Sequence, residues 1–390
     1  MENTIKFKVT TNLISGIGSS KEVMGLMESN NYKNVFVFAS GNLVKGSKYY
    51  ESFVSDLRQR VDKVHVEVKT GEGEPDYDYL DELAGKIRSM DKIDVIIGVG
   101  GGSTLDIAKA LAVLRTNPGK AIDYRGFDKV LLPGVPSILI PATAGTGSEA
   151  TINAVFIDKQ EKKKLGINGN HMSATYAVLD AEWVKSCSYS VLLSSGMDAL
   201  THTLESFMCR NANVVTRSFS KNAFRLIAEN LPKIKDELVE SETLQNLLLG
   251  SYFAGIALYN AGSGISGALS YPLGVHYKIP HGIGGGIFLA DVIKYNVEHG
   301  YYDYAELVDC SCLYQMGLSE KEKSEYLVTW LADLAQKLGV PKKLTQWKVS
   351  KSDLPVIKEM LLTLQAAFNQ NPIEFMAEVD AVVMVDQHLE

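Results

Sequence analysis

Apolar positions in the first half of the chain fall into short unbroken runs, and those in the second half follow helical periods. Val35-Phe36-Val37-Phe38, Val64-His65-Val66-Glu67-Val68, Val95-Ile96-Ile97-Gly98-Val99 and Ser137-Ile138-Leu139-Ile140 are rich in β-branched and aromatic residues, which predicts strands. Between the second and third runs, Tyr79, Leu80, Leu83 and Ile87 share one helix face, predicting a helix over Asp76 to Met90. Strands alternating with helices predict right-handed βαβ units and a parallel sheet, which Ala177-Val178-Leu179 would complete. From about Ser188 the pattern changes to long helical periods such as Phe224 to Leu231 and Glu325 to Leu338. We therefore expect an α/β domain with a parallel sheet over residues 1–185 and an all-α domain over residues 186–390. The charged run Lys159 to Lys164 is expected to be a solvated hairpin or loop.

Composition narrows the function classes. The chain has 390 residues, 46% of them hydrophobic and 22% charged, the balance of a globular protein with room for two cores. Its formal net charge of −7 argues against a nucleic-acid partner, which would call for clustered Lys and Arg, so small molecules are the expected partners. Charges at Glu2, Lys6 and Lys8 interrupt the apolar stretch a signal peptide needs, and no segment approaches the roughly 20 apolar residues of a membrane span. The expected location is the cytoplasm, without a membrane partner. Cys187, Cys209, Cys310 and Cys312 make no CxxC pair, and free thiols are expected of all four.

Two glycine-rich segments follow predicted strands. Gly100-Gly101-Gly102-Ser103-Thr104-Leu105-Asp106-Ile107-Ala108-Lys109 reads as a tight turn opening a helix, where missing side chains let a phosphate reach backbone N–H groups. It lacks the GxGxxG spacing, and an ordinary turn capped by Ser103 is the alternative. The second segment, Pro141-Ala142-Thr143-Ala144-Gly145-Thr146-Gly147-Ser148-Glu149, is dense in small residues and hydroxyls. Two such loops at the carboxyl edge of one parallel sheet favour nucleotide binding over plain turns.

In the second half, Asp198 and His202 stand four apart in Ser195 to His202, so a helix presents both on one face, where they hold either a divalent ion or merely each other. The stretch Ser263 to Gly282 carries His276 and His281 at its end.

Taken together, Gly100 to Lys109, Pro141 to Glu149, Gly196 to Glu205 and Tyr271 to Gly282 resemble, in the same order, the GGGSxxDxAK, P(T)TAGTGSE, GMDALTHxxE and PHG-terminated motifs of the iron-dependent (group III) alcohol dehydrogenase family. The resemblance spans nearly the whole chain. It implies a nicotinamide-nucleotide-binding α/β domain, a helical domain carrying one Fe2+ or Zn2+ ion, and reversible oxidation of an alcohol to an aldehyde, usually by a homodimer. By position it implies cofactor contacts from Gly101, Gly102, Ser103, Asp106, Thr143, Thr146, Lys164 and Leu179, and metal ligation by Asp198, His202 and His281.

Three positions depart from that pattern. The family's fourth metal-binding histidine falls on Gly267, and a second histidine, credited with proton relay, falls on Tyr271. Three readings of the gap follow: His276 replaces the lost ligand, three ligands suffice with substrate or water in the open positions, or the protein works without metal. A vacant position would suit a substrate with two adjacent oxygens. The third departure lies after the second strand, where Phe38-Ala39-Ser40-Gly41-Asn42 carries no acidic residue, so the resemblance favours NADP over NAD with Ser40 near the ribose. The expected reaction is hydride transfer between nicotinamide C4 and the carbinol carbon of a small polar substrate. Tyr271 and His276 are the candidate catalytic groups. The rival readings are a catalytically degenerate nucleotide binder and a lyase resembling dehydroquinate synthase.

Overall fold

In the computed structural model, which describes residues 4–71, 73–161, 163–235 and 238–390, the apolar runs are strands. The strands among those residues are β1 (Asn12–Ser15), β2 (Asn34–Ser40), β3 (Lys63–Lys69), β4 (Val95–Gly100), β5 (Gly126–Phe127), β6 (Ser137–Pro141), β7 (Asn153–Asp158), β8 (Lys163–Asn168) and β9 (Tyr176–Leu179). Six of them form one sheet in the order β1-β9-β6-β4-β2-β3, every neighbouring pair parallel.

Unbroken apolar runs suit this sheet because both of its faces are covered. Phe36, Phe38, Ile96 and Leu139 pack on one side with Leu80, Leu83 and Ile87 of helix Tyr77–Arg88 and with Ile107 and Leu111 of helix Gly102–Leu114. Val35, Val37, Ile97, Ile138 and Ile140 pack on the other with Met27, Phe53, Leu57 and Trp183. Each fully buried side chain of this size contributes roughly 1.5–3 kcal/mol. After β3 the chain returns across β2 to β4 and then proceeds outward to β6, so the strand order reverses between the carboxyl ends of β2 and β4. Ligands of open α/β sheets bind at such a reversal.

The small sheet β5-β8-β7 was not expected from the sequence. Its antiparallel β7–β8 pair turns at the Lys159–Lys164 run, the expected solvated hairpin, with Lys162 outside the described residues. Met1, Glu2 and Asn3, part of the charged chain start, also lie outside them. Strand β1 was likewise missed.

The sheets and their helices belong to one compact unit, Val9–Ser188, which also takes in Glu240–Tyr252 from further along the chain. In that segment Gln245 accepts the Ala181 N–H at 2.9 Å and donates to the Leu179 carbonyl at 2.9 Å and to Ser15 Oγ at 3.1 Å, tying the ends of β9 and β1 together.

The second unit comprises the chain start through Lys8, Tyr189–Val239 and Phe253–Glu390, and its described residues contain no strand. Its helices include Tyr189–Met208, Val214–Asn230, Ile265–Tyr277, His281–Glu298 and Glu320–Leu338. Two helix starts carry side-chain caps that the sequence offers: Asn213 accepts from Val215 and Thr216, and Ser319 pairs reciprocally with Glu322. No helix among the described residues is long and apolar enough to cross a membrane. All four cysteines are free thiols.

Candidate active site

In the first unit, helix Gly102–Leu114 starts where β4 ends, and its cap is Gly101, with no side chain bonded to the first turn. Ser103 lies inside that turn and does not cap it. First-turn N–H groups left to external acceptors, reinforced by the helix dipole, form a place for a phosphate. The second glycine-rich loop touches the first: a β-carbon at Gly102 would stand 2.5 Å from Thr146 Cγ2, and one at Gly101 would stand 3.5 Å from the Thr143 side chain. Only a glycine at 102 permits that approach. Gly147 bends the second loop with φ 59°, and the Ser148 N–H donates to Thr146 Oγ1 at 3.1 Å.

Beneath the loops lies a buried ionic cluster. Asp106 accepts a short hydrogen bond from the Ser148 hydroxyl on Oδ1 and the Val155 N–H at 2.9 Å on Oδ2. Lys109 is fully buried and donates from Nζ to the Ser148 carbonyl at 2.8 Å, to Thr151 Oγ1 at 3.2 Å and to the Asn153 carbonyl, with Asp106 Oδ1 at 3.4 Å. Asp106, expected among the cofactor contacts, therefore has both carboxylate oxygens engaged by the second loop and β7. Burial lowers the Lys109 pKa, and burial lifts the carboxyl of Glu149, close to both, to about 7.

The other expected cofactor residues are divided between the two sheets, Ser40 and Leu179 in the large one and Lys164 in the small one. Ser40 ends β2 beside the strand-order reversal, with its register partner Lys69 at the end of β3. Lys69 donates to the Gly73 carbonyl at 2.8 Å, and burial lowers its pKa. Lys164, nearly buried, makes a close ion pair with Glu74. Leu179 is wholly buried at the end of β9, where its carbonyl accepts the Gly16 N–H at 3.0 Å.

In the second unit, helix Tyr189–Met208 carries Asp198 and His202 on one buried face, as the spacing predicts. His281 begins the glycine-rich helix His281–Glu298. A β-carbon at Gly282 would stand 1.8 Å from the Ser194 carbonyl oxygen, so only glycine lets the two helices meet beside Asp198. Asp198 Oδ1 lies 3.6 Å from His202 Nε2 and 3.7 Å from His281 Nε2.

Among the described residues, Asp198, His202 and His281 form the one group of three or more metal-ligating side chains with donor atoms all within 4.8 Å of one another. Donors about 2.0–2.2 Å from a zinc ion stand roughly 3.4 Å apart in a tetrahedron, so the three fit a divalent ion with little adjustment. His202 Nδ1 is buried without a hydrogen-bond partner.

Ser270, which the sequence reading missed, prepares His281. Its hydroxyl donates to the Gly267 carbonyl at 2.6 Å, which commits its only proton. In its close contact with His281 Nδ1 the Ser270 oxygen must therefore accept, so Nδ1 carries the ring proton and Nε2, facing Asp198, presents its lone pair. Its position three residues after Gly267 was the available signal. Glu205, the last residue of the Gly196 to Glu205 motif, is a fully buried carboxyl bonded to the Gly264 and Gly267 N–H groups. Tyr271 is 36% exposed, its ring centroid 5.0 Å from that of His281. His276 is exposed near the end of its helix and stands outside the three-donor group.

Comparison with known proteins agrees with this layout. The iron-containing alcohol dehydrogenase model matches residues 10–181, and the C-terminal model of the Fe-containing alcohol dehydrogenase family matches residues 192–384. The NAD-dependent methanol dehydrogenase of Bacillus methanolicus is 30% identical over 271 residues, 70% of this chain and 71% of the relative. The 4-hydroxybutyrate dehydrogenase of Clostridium kluyveri is 30% identical over 357 residues, 90% of this chain and 93% of the relative. Among solved structures, a sulfoacetaldehyde reductase from Bifidobacterium kashiwanohense in complex with NAD+ superposes with a TM-score of 0.88 at 22% identity, covering 99% of this chain and 98% of that one. With both halves matched in order, the chain belongs to the iron-containing alcohol dehydrogenase family and is an oxidoreductase of that class.

Proposed function

We propose that this chain interconverts a small polar alcohol and its aldehyde with NADP(H) as the favoured coenzyme and a divalent ion, Fe2+ or Zn2+, held by Asp198, His202 and His281. The observation that carries the reading is the three-donor group with His281 Nε2 prepared by Ser270. When bound, the nicotinamide supplies or takes the hydride and the ion supplies Lewis acidity at the substrate oxygen.

The residues of the chain do the rest. Gly101, Gly102 and Ser103 offer backbone N–H groups to the diphosphate, and Thr143 and Thr146 wall the same place. Asp106 and Lys109 act from beneath by fixing the second loop. Lys164 and Leu179 border the nucleotide. Asp198, His202 and His281 orient the substrate oxygen, and the Tyr271 phenol passes the proton. Ser40 puts no carboxylate at the strand-order reversal, and the neighbouring Lys69 supplies positive charge; both favour a 2′-phosphate. Homodimerisation is in keeping with β1 as an open sheet edge, and a reducing, cytoplasmic setting with the free thiols.

The test is elemental analysis of the purified protein and of His281→Ala and His276→Ala, together with NADH and NADPH titrations of the parent and Ser40→Asp. We expect one Fe or Zn per chain, lost in His281→Ala and kept in His276→Ala, and a preference moving from NADPH toward NADH in Ser40→Asp. No metal in any preparation, even after reconstitution, would sink the Lewis-acid reading.

A further inference from the structure

Two acids and one amine share the place beneath the glycine loops. Ser148 joins them to the second loop, its hydroxyl donating to Asp106 and its carbonyl accepting from Lys109. Glu149 follows in the short turn Ser148–Ala150 and is 2% exposed. The charged groups that face it are Lys109 and Asp106, both on helix Gly102–Leu114, while the strands packed on the same turn, β6 and β9, bring neither a carboxylate nor an amine. The buried ammonium of Lys109 pairs with Asp106, which leaves Glu149 with no ion pair among the described residues. With all three groups ionised the cluster would carry a net negative charge away from water, and one proton on Glu149 removes it.

The phosphate place at the start of helix Gly102–Leu114 lies one turn, about 6 Å, above Asp106. Thr146, which walls that place at Gly102, is three residues from Glu149, a length of chain that spans at most about 10 Å. A diphosphate seated there brings two negative charges into the field of the buried carboxyl. At an effective dielectric constant of about 20 and roughly 10 Å, they favour its protonated form on the order of tenfold or more. We infer that Glu149 takes up a proton from solvent when the diphosphate of the nucleotide settles on the two glycine loops, so that coenzyme binding and protonation of this carboxyl are one coupled event. The only bond formed is the carboxyl O–H, and the proton returns to solvent when the coenzyme leaves. Because the coupling is reciprocal, acid tightens the coenzyme and base loosens it. The inference rests on the nucleotide reading above, and its test separates the two.

NADPH is titrated calorimetrically into the parent and into Glu149→Gln in buffers of different ionisation enthalpy, and the slope of observed enthalpy against buffer enthalpy counts the protons. The carboxyl titrates at about 7 without coenzyme. A rise of about one decade on binding gives the parent an uptake larger by about half a proton per chain than that of Glu149→Gln at about pH 7.5. It also makes the parent's NADPH dissociation constant rise about sevenfold more than the variant's between about pH 6.5 and about pH 9. NADH, which carries the same diphosphate without the 2′-phosphate and its own titration, shows the same difference between the two proteins. Equal uptake in the parent and Glu149→Gln overturns the coupling.

Should Glu149→Gln fail to fold, the parent decides alone. Infrared difference spectra of protein carrying isotope-labelled glutamate, with and without NADPH, show the C=O stretch of a glutamic acid gaining intensity at the expense of glutamate carboxylate bands. NADPH binding without that gain overturns the inference and leaves the nucleotide reading standing. Failure of both NADPH and NADH to bind the parent overturns the nucleotide reading, and the coupling falls with it.

Discussion

Replacing Glu149 by Gln should remove a pH dependence built into the glycine loops. The carboxyl is fully buried, and burial lifts its pKa from 4.5 to about 7, against the opposing pull of Lys109. An unfolded glutamate titrates near about 4.3. Between those two values the folded protein holds a proton that the unfolded chain has already released. Stability therefore falls as pH rises through this window, and the loss is complete once pH passes the folded-state value. At about 1.36 kcal/mol per decade the full effect is on the order of 4 kcal/mol, reached by about pH 8, with about 1 kcal/mol of it already expressed at about pH 5, so that about 3 kcal/mol separates the two. Glutamine has no such titration, so the variant should gain on the parent by that amount between the two pH values, above a constant offset from the changed hydrogen bonding. Urea unfolding followed at Trp183, which is buried in the core of the same unit, reports on it in a Trp330→Phe/Trp347→Phe background. A change of about 3 kcal/mol corresponds to a midpoint shift of roughly 1 M urea. Parallel pH profiles for the parent and Glu149→Gln would refute the argument, since the shared titrations elsewhere cancel in the comparison.

Two further outcomes follow from contacts within the units. Ser270→Ala leaves the His281 ring without the acceptor that fixes its proton, so Zn2+ affinity in competition with a chromophoric chelator should fall about 10–100-fold, with recovery in Ser270→Thr. Unchanged affinity would show that His281 needs no such partner. Lys109→Met keeps the length of the side chain but strands Asp106 and three acceptors on the second loop and β7, so the first unit should lose roughly 3–5 kcal/mol in the same urea assay and bind NADPH more weakly. A stable variant with normal nucleotide binding would make the buried cation dispensable.

The large sheet was legible because its central strands are buried on both faces and therefore read as continuous apolar runs. Strand β1 was not, since Asn12, Leu13 and Ser15 are exposed at the edge and carry no such run. The turn between β7 and β8 was expected, but the strand pairing on either side of it was hidden because β8 opens with charged residues and pairs them with the end of β7. No local pattern indicated that Glu240–Tyr252 joins the first unit, an assignment carried by contacts such as those of Gln245 with residues far away in sequence. At the site, the fourfold spacing of Asp198 and His202 was visible in the sequence, and the PHG motif pointed to His281. The roles of Ser270 and Glu205 were not visible, because each depends on which neighbouring helix supplies the acceptor or the N–H. The Asp106 motif position was found, but only the structure shows its carboxylate turned toward Ser148 and Val155.

The excursion of the chain out of the first unit and back has a consequence for synthesis. β1 waits for β9 before it has a partner, and Gln245, which ties those two strand ends, emerges from the ribosome long after Ser188. At about 5–20 residues per second the first unit spends several seconds with that edge unfastened while helices of the other unit are already being made. Nascent chains stalled before Glu240 should thus be the species that chaperones hold and proteases cut at β1 and β9.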